Sequence, residues 1–323
     1  MSLRLTSHAA LGAAILIALT SCSTGSGGGE GAGDVAQPVA ARPAPMPAPA
    51  PAPAPVALPD PTPTPTAPPA RTAFTYNGEL EQGGWIRGQV PSNTRSARLG
   101  EQTIRFDEDG RFFGAFDRDQ GAQIDLVATL EDGRTISTPL TIRPRDWNLE
   151  NINAPYRAGR SSAEFQRLRG KEVAQIVAAR AMDTGAEGWR QDFIWPVTGR
   201  ISGRFGSQRV YQGKPGPYHS GLDIAPGAGV PYVAPADGVV TLVAQDPFTL
   251  EGRLLMIDHG MGLNSAFLHS ATIVVREGQR VRQGQFLGTV GATGRATGPH
   301  LHWSLKWQDS RLDPLLFLGP MTD

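Results

Sequence analysis

Fourteen of the chain's 28 prolines fall between Pro38 and Pro69, mostly in Ala-Pro and Thr-Pro alternation. No aromatic residue occurs between Cys22 and Phe74. Such a segment cannot bury enough apolar surface to offset the entropy of ordering it, and alternating prolines favour extended polyproline II. At about 3.1 Å per residue the proline stretch can reach up to roughly 100 Å. With the Gly-rich run that precedes it, this stretch makes residues 22–72 a disordered Gly/Pro-rich tether. Every residue able to build a core lies after it.

Ahead of the tether, Arg4 is followed by an apolar run from Ala9 to Leu19. That run is too short to cross about 30 Å of hydrocarbon as a helix. A positive start and a short apolar core read as a secretory signal over 1–21. The run ends in Leu19-Thr20-Ser21-Cys22, which resembles the lipobox of bacterial lipoproteins. That resemblance implies lipid attachment at Cys22. Two or more acyl chains would anchor the protein stably to a membrane. By resemblance to lipoprotein sorting signals, Ser23 in place of Asp implies the outer membrane, so the expected location is the periplasmic face of the cell envelope. Cys22 is also the one cysteine, which excludes internal disulfides and any Cys-based zinc cluster. Thirty basic against thirty acidic residues leave no net charge, which argues against nucleic acid as a partner.

Two folded regions are expected after the tether, giving a mainly β chain. Over 73–145, short alternating runs such as Trp85–Val90, Thr103–Phe106, Arg111–Phe116 and Ile124–Leu130 suggest a small β-sandwich. Asp109-Gly110 and Asp132-Gly133 are hairpin signals. A helical linker is expected over 146–192. Its helix, over 161–182, is capped by Ser161 or Ser162 and carries Phe165, Leu168, Val173, Ile176 and Val177 as apolar positions. From 193 to 323, runs such as Ala236–Val243, Arg253–His259 and Gln285–Gly291 read as strands of a second, Gly-punctuated domain, sheet-on-sheet or barrel-like.

Five of the six histidines, His219, His259, His269, His300 and His302, lie in that last region. If His300-Leu301-His302 is a strand, both imidazoles point to one face. His219 and Asp223, four residues apart, supply one nitrogen and one oxygen. A His, His, Asp set leaves a fourth tetrahedral position open, as in catalytic zinc sites. His259 is expected to shape a turn, and Asp237, Asp246 and Asp258 to be turn or surface residues.

These motifs resemble the M23 zinc metallopeptidases, the lysostaphin and LytM-like peptidoglycan endopeptidases. His219-x-x-x-Asp223 and His300-x-His302 match the family's motif pair. Ile201-Ser202-Gly203-Arg204-Phe205-Gly206, Ile257-Asp258-His259-Gly260, Phe267-Leu268-His269 and the stretch from Gly294 to His302 match its other segments, over about 195–317. The resemblance implies an antiparallel β-sheet peptidase domain. It makes His219, Asp223 and His302 the ligands of one Zn2+, and His269 and His300 the catalytic histidines. Phe267 and Ser270 depart from the family's usual Tyr and Leu, without removing any of these five residues. The implied activity is hydrolysis of peptide cross-links, with peptidoglycan stems as substrate.

Two other functions were weighed against that one. Some relatives have lost zinc ligands and act without hydrolysis as activators of cell-wall amidases, which would make an amidase or division proteins partners. The segments Asp237–Val240 and Gly278–Gly288 resemble half-motifs of biotinyl and lipoyl carriers. No lysine occurs between Val230 and Leu301 to be modified, so a carrier role fails.

Overall fold

A computed structural model of the chain describes residues 70–155 and 162–321. The signal, Cys22 and nearly all of the tether lie outside the described residues. Residues Thr66–Asp323 fall in one compact unit, mainly β, with a single α-helix among the described residues. No described helix is long and apolar enough to cross a membrane.

The first seven strands make two antiparallel sheets. One orders Thr75–Gly78, Trp85–Gln89 and Arg111–Ala115; the other orders Gln102–Ile104, Thr94–Leu99, Gln123–Leu130 and Thr135–Thr141. Asp132-Gly133 is the tip of a hairpin, with Gly133 at φ 85°, a left-handed conformation that glycine adopts without cost. Asp109-Gly110 is also a turn, but the strands on either side of it belong to different sheets.

Phe112 and Phe113 are adjacent on one strand, yet both are fully buried. Successive side chains of a strand point to opposite faces, so both faces of this one must be covered. Phe112 meets Phe74 inside the sandwich, while Phe113 meets Trp307 and Phe317 from the C-terminal region. Trp85 leans on Phe317 and donates its indole N–H to the Leu316 carbonyl at 2.9 Å. The two expected β regions therefore share one continuous hydrophobic core.

The segment between them is only partly helical. Leu149–Ile152 is a strand, paired in parallel with Gln208–Tyr211. The helix runs Ala163–Arg180, unbroken at Gly170, and Ser162 Oγ accepts the Phe165 N–H as its cap. Its buried residues are Glu172, Ile176 and Ala179. Leu168, Val173 and Val177, expected to face the core, are 37%, 40% and 59% exposed. Glu172 sets this rotation: its carboxylate accepts the Thr249 N–H at 2.7 Å and hydroxyl at 2.6 Å and pairs with Arg169.

The C-terminal region is built on one large antiparallel sheet. Its order is Arg280–Val281, Gly238–Phe248, Gly252–Gly260, Leu263–Ser270, Leu301–Trp307, Leu222–Ala225 and Arg200–Gly203. A smaller sheet of Pro231–Val233, Phe286–Thr289 and Thr272–Ile273 completes the body. Strand Leu301–Trp307 shows why its sequence folds this way. Leu301, Trp303, Leu305 and Trp307 are fully buried in the shared core, and His302, Ser304 and Lys306 occupy the opposite face.

Candidate metal centre and substrate cleft

The same alternation places the polar residues of the neighbouring strand. Leu222 and Ile224 are fully buried in the core, and Asp223 between them points away from it. The register sets Asp223 directly opposite His302. Asp223 Oδ1 lies 2.8 Å from His302 Nδ1 and 3.0 Å from His219 Nε2, and the two nitrogens are 3.1 Å apart. Ligands bound at about 2.0–2.1 Å around a tetrahedral ion lie about 3.3 Å from one another. Two imidazole nitrogens and a carboxylate oxygen thus already form a triangle of nearly that size. The donor set fits zinc, and the three residues make a possible His-Asp-His metal site.

The surroundings fix this geometry. His219 Nδ1 donates to the Arg204 carbonyl at 3.1 Å, which leaves the Nε2 lone pair facing Asp223. Gly221 lies between the two ligands in sequence, and a Cβ there would sit 2.7 Å from His302 Nε2 and 2.6 Å from the Trp303 carbonyl oxygen. A Cβ at Gly203 would come within 2.5 Å of Asp223 Oδ2. Both positions must be glycine for the strands to close around the carboxylate.

Electrostatics follow from burial and from the shared carboxylate. Burial works to raise the Asp223 pKa, but hydrogen bonds and charge from His219 and His302 outweigh it and hold the carboxyl well below its usual range. Burial opposes protonation of His219, yet Asp223 overcomes this and raises its pKa. At the more deeply buried His302, desolvation wins over the same Asp223 and the pKa falls.

His269 and His300 join the cluster by different means. His300 is held by an antiparallel bridge to Gly291, and its Nε2 is 3.7 Å from Asp223 Oδ1. His269 shares the parity of Leu263, Ser265 and Phe267, so an ideal strand would aim it into the core. A register shift between Arg253 and Leu255, with φ 65° at His269, turns it instead toward His300 and His302. A β-bulge re-aims a side chain in this way at a local cost in strain. The rings of His269 and His300 are then 4.8 Å apart. Each donates its Nδ1 proton to a backbone carbonyl, His269 to Thr293 at 2.8 Å and His300 to Gly298 at 2.9 Å. The lone pair of each ring is left on Nε2. Burial lowers the pKa of His269; the Thr293 carbonyl opposes this, and His300 adds to it.

All five expected site residues of this region therefore meet at one place. His259 does not shape a turn. It is fully buried, donating Nδ1–H to the Asp237 carbonyl at 2.7 Å and accepting from Ser265 Oγ at 2.7 Å. Burial pushes its pKa down to about 4, despite the Asp237 carbonyl. Asp258 is likewise no surface residue: it is fully buried and accepts from Thr184 and Gly260. Ser270 pairs with Tyr232 Oη at 2.8 Å, and Phe267 stacks on Tyr232 inside the core. The carbonyls of Arg204 and Thr293 were not foreseen, because a backbone acceptor leaves no mark on residue type. Gly221, inside the His219–Asp223 motif, was visible but unread.

Beside His219 an open cleft of about 940 Å³ runs out between Arg204, Arg295, Tyr218 and Trp147. Tyr211, Pro217 and Tyr218 line one side of it, from a hairpin of Gln208–Tyr211 with Lys214–Tyr218. Strand Leu149–Ile152 backs that hairpin. Arg118 of the sandwich, itself buried, donates to the Gly206 carbonyl and Gln208 Oε1 at its base.

Residues 217–314, which hold all five side chains, match the family model for peptidase family M23. The chain carries a peptidase family M23 domain. Its sequence is 35% identical over 143 residues to the peptidoglycan DD-endopeptidase ShyA of Vibrio cholerae, covering 42% of this chain and 33% of ShyA. It is 34% identical over 130 residues to the murein hydrolase activator NlpD of Salmonella typhimurium, covering 40% of this chain and 31% of NlpD. The chain thus spans about a third of the length of either relative. A solved peptidase M23 from Pseudomonas aeruginosa superposes with a TM-score of 0.57 at 28% identity, covering 75% of this chain and 96% of that one. That overlap reaches beyond the M23 domain into the preceding β region.

Proposed function

We propose that the protein is a zinc-dependent endopeptidase that hydrolyses peptide cross-links of bacterial peptidoglycan. In this reading it is tethered to the cell envelope, at the outer membrane, by lipid on Cys22. The carrying observation is the convergence of His219, Asp223 and His302 within 3.1 Å, with His269 and His300 beside them. His219 Nε2, Asp223 Oδ1 and His302 Nδ1 would hold one zinc ion. When bound, the ion supplies Lewis-acid polarisation of a scissile carbonyl and acidifies water.

The protein's own groups do the rest. The Arg204 carbonyl keeps His219 in the tautomer a ligand requires, and Asp223 keeps both imidazoles aimed inward. His269, kept neutral by burial, offers Nε2 to take a proton from the attacking water and return it to the leaving amine. His300 Nε2, on the same side of Asp223, also carries its ring's lone pair and offers a second acceptor for that proton. The cleft lined by Tyr218 and Trp147 accommodates a peptide on one side of the reacting bond.

A second reading is favoured by the similarity to the murein hydrolase activator: the domain would act without hydrolysis, through an amidase. Mass spectrometry of cross-linked muropeptides after incubation with the zinc-loaded protein separates the two. Stems released from each other support the endopeptidase. Intact cross-links, with a purified amidase stimulated by the same preparation, support the activator.

A further inference from the structure

The metal-bearing face of the large sheet is not open along its whole length. Helix Ala163–Arg180 lies on it, with Ile176 and Ala179 packed against Leu242, Ala244, Met256 and Ala266. Between helix and sheet is a cavity of about 220 Å³ whose lining includes His302 and Ser220. The metal centre thus has the open cleft on one side and this roofed cavity on the other.

The cavity is strongly basic. Arg169, Arg180, Lys306 and Arg311 line it, and Glu251 is the one acid among the described lining residues. Glu251 is already bound in both oxygens by Arg169, at 2.6 and 2.8 Å. Among the described residues Lys306 reaches only Asp309, at 3.4 Å, a carboxylate held out in solvent. Arg311 is set beside the Tyr218 ring. Arg180 Nε is buried and finds no acceptor among the described residues. A buried donor left unpaired is costly, and a charged one more so. Burial depresses the Lys306 pKa and Arg180 depresses it further, against Asp309; Arg180 is itself depressed by burial and then by Arg311, against Glu251. Three cations gathered around one cavity, whose lining acid Glu251 is already held by Arg169, leave room for an anion from outside the chain. The remaining lining, including Leu254, Met256, Ala266 and Leu268, is apolar. An alkyl chain ending in a carboxylate would cover both surfaces, whereas an inorganic anion would leave the apolar part uncovered.

We infer that Arg180, Lys306 and Arg311 form a carboxylate-binding subsite beneath the helix, which receives an acidic group of the peptide substrate adjacent to the bond at His302. This rests on the peptide-processing reading above and makes the helix a determinant of specificity. The protein selects stem peptides that carry a free carboxylate on this side of the reacting bond.

The test is calorimetric titration of the full-length, zinc-loaded protein with a cross-linked stem peptide bearing free carboxylates, and with the same peptide amidated. The free form is expected to bind at least about tenfold more tightly, the worth of a charge-assisted hydrogen bond. Arg180→Gln and Lys306→Gln are each expected to bring that ratio toward one. Arg311→Gln, at an exposed position, gives the same readout should either fail to fold. Without ligand, Arg180→Gln is expected to raise the melting temperature, since it removes a half-buried cation whose Nε finds no acceptor among the described residues. A purely structural arginine would lower it. Equal binding of the two peptide forms, a ratio untouched by the substitutions, a lower melting temperature for Arg180→Gln, or competition by inorganic phosphate as strong as by the peptide would overturn the assignment. Selective binding without cleavage would retire the hydrolytic reading and leave this subsite standing. Cleavage of both forms at one rate, with equal affinity, would do the reverse.

Discussion

Asp223 and His302 face each other across two antiparallel strands, with Oδ1 2.8 Å from Nδ1. One hydrogen-bonded register thus sets two of the three candidate ligands, and His219 enters from the turn before the first strand. Replacing Asp223 with Ala is expected to reduce bound zinc to less than about a tenth of the wild-type content after dialysis, measured by atomic emission. Wild-type zinc content in that variant would remove Asp223 from the ligand set.

His269 and His300 touch the cluster without belonging to the ligand triangle. His269→Ala and His300→Ala are each expected to keep bound zinc and to lower kcat on cross-linked muropeptides by about 10²–10⁴. A variant that lost its metal in step with its activity would instead place that histidine among the ligands.

Gly221 tests how tightly the centre is closed. In Gly221→Ala the new Cβ meets His302 Nε2 at 2.7 Å and the Trp303 carbonyl oxygen at 2.6 Å, so a strand or a ligand must shift. The expected cost is about 1–3 kcal/mol in denaturant unfolding, together with weakened zinc binding. Unchanged stability and affinity would show that the glycine is incidental.

His259 gives the fold a pH dependence separate from the metal. Its pKa in the folded protein is about 4, below the value of 6.5 expected when unfolded, so unfolding takes up a proton under acid conditions. The stability tied to its neutral ring is complete above pH 6.5, is lost as pH falls toward 4, and amounts to about 3 kcal/mol. Chemical unfolding between pH 7.5 and about 4 should show that loss, and His259→Gln should flatten the profile. A variant with the wild-type slope would assign the dependence to other groups.

Phe113 joins the sandwich to the M23 domain. Phe113→Ala is expected to cost about 3–5 kcal/mol and to leave one unfolding transition, coincident by tryptophan fluorescence and far-UV circular dichroism. Two separated transitions would mean that the regions fold independently.

Much of the site was readable in the chain because it depends on local order. Alternation in Leu301–Trp307 and Leu222–Ala225 sorts core from polar face two residues at a time, and the spacing of His219 from Asp223 needs one turn and one strand. The linking segment was less readable. Its apolar residues suggested one helical face, but the carboxylate of Glu172, caught by Thr249 from a distant strand, turned the helix to another. A half-buried ion pair and two hydrogen bonds from Glu172 outweighed the apolar pattern of a helix with three buried residues among those described.

By itself the sequence determined the mainly β architecture, the five polar residues of the centre and their likeness to one peptidase family, because strand periodicity and short motifs are properties of neighbouring residues. Tertiary structure alone decided three things: that the sandwich and the M23 domain share a core through Phe113 and Trp85, that a bulge turns His269 out of that core, and that Arg180, Lys306 and Arg311 gather under a helix beside His302. Each of these depends on which segments far apart in the chain come to lie against one another, and that is set by packing and register summed over the whole fold.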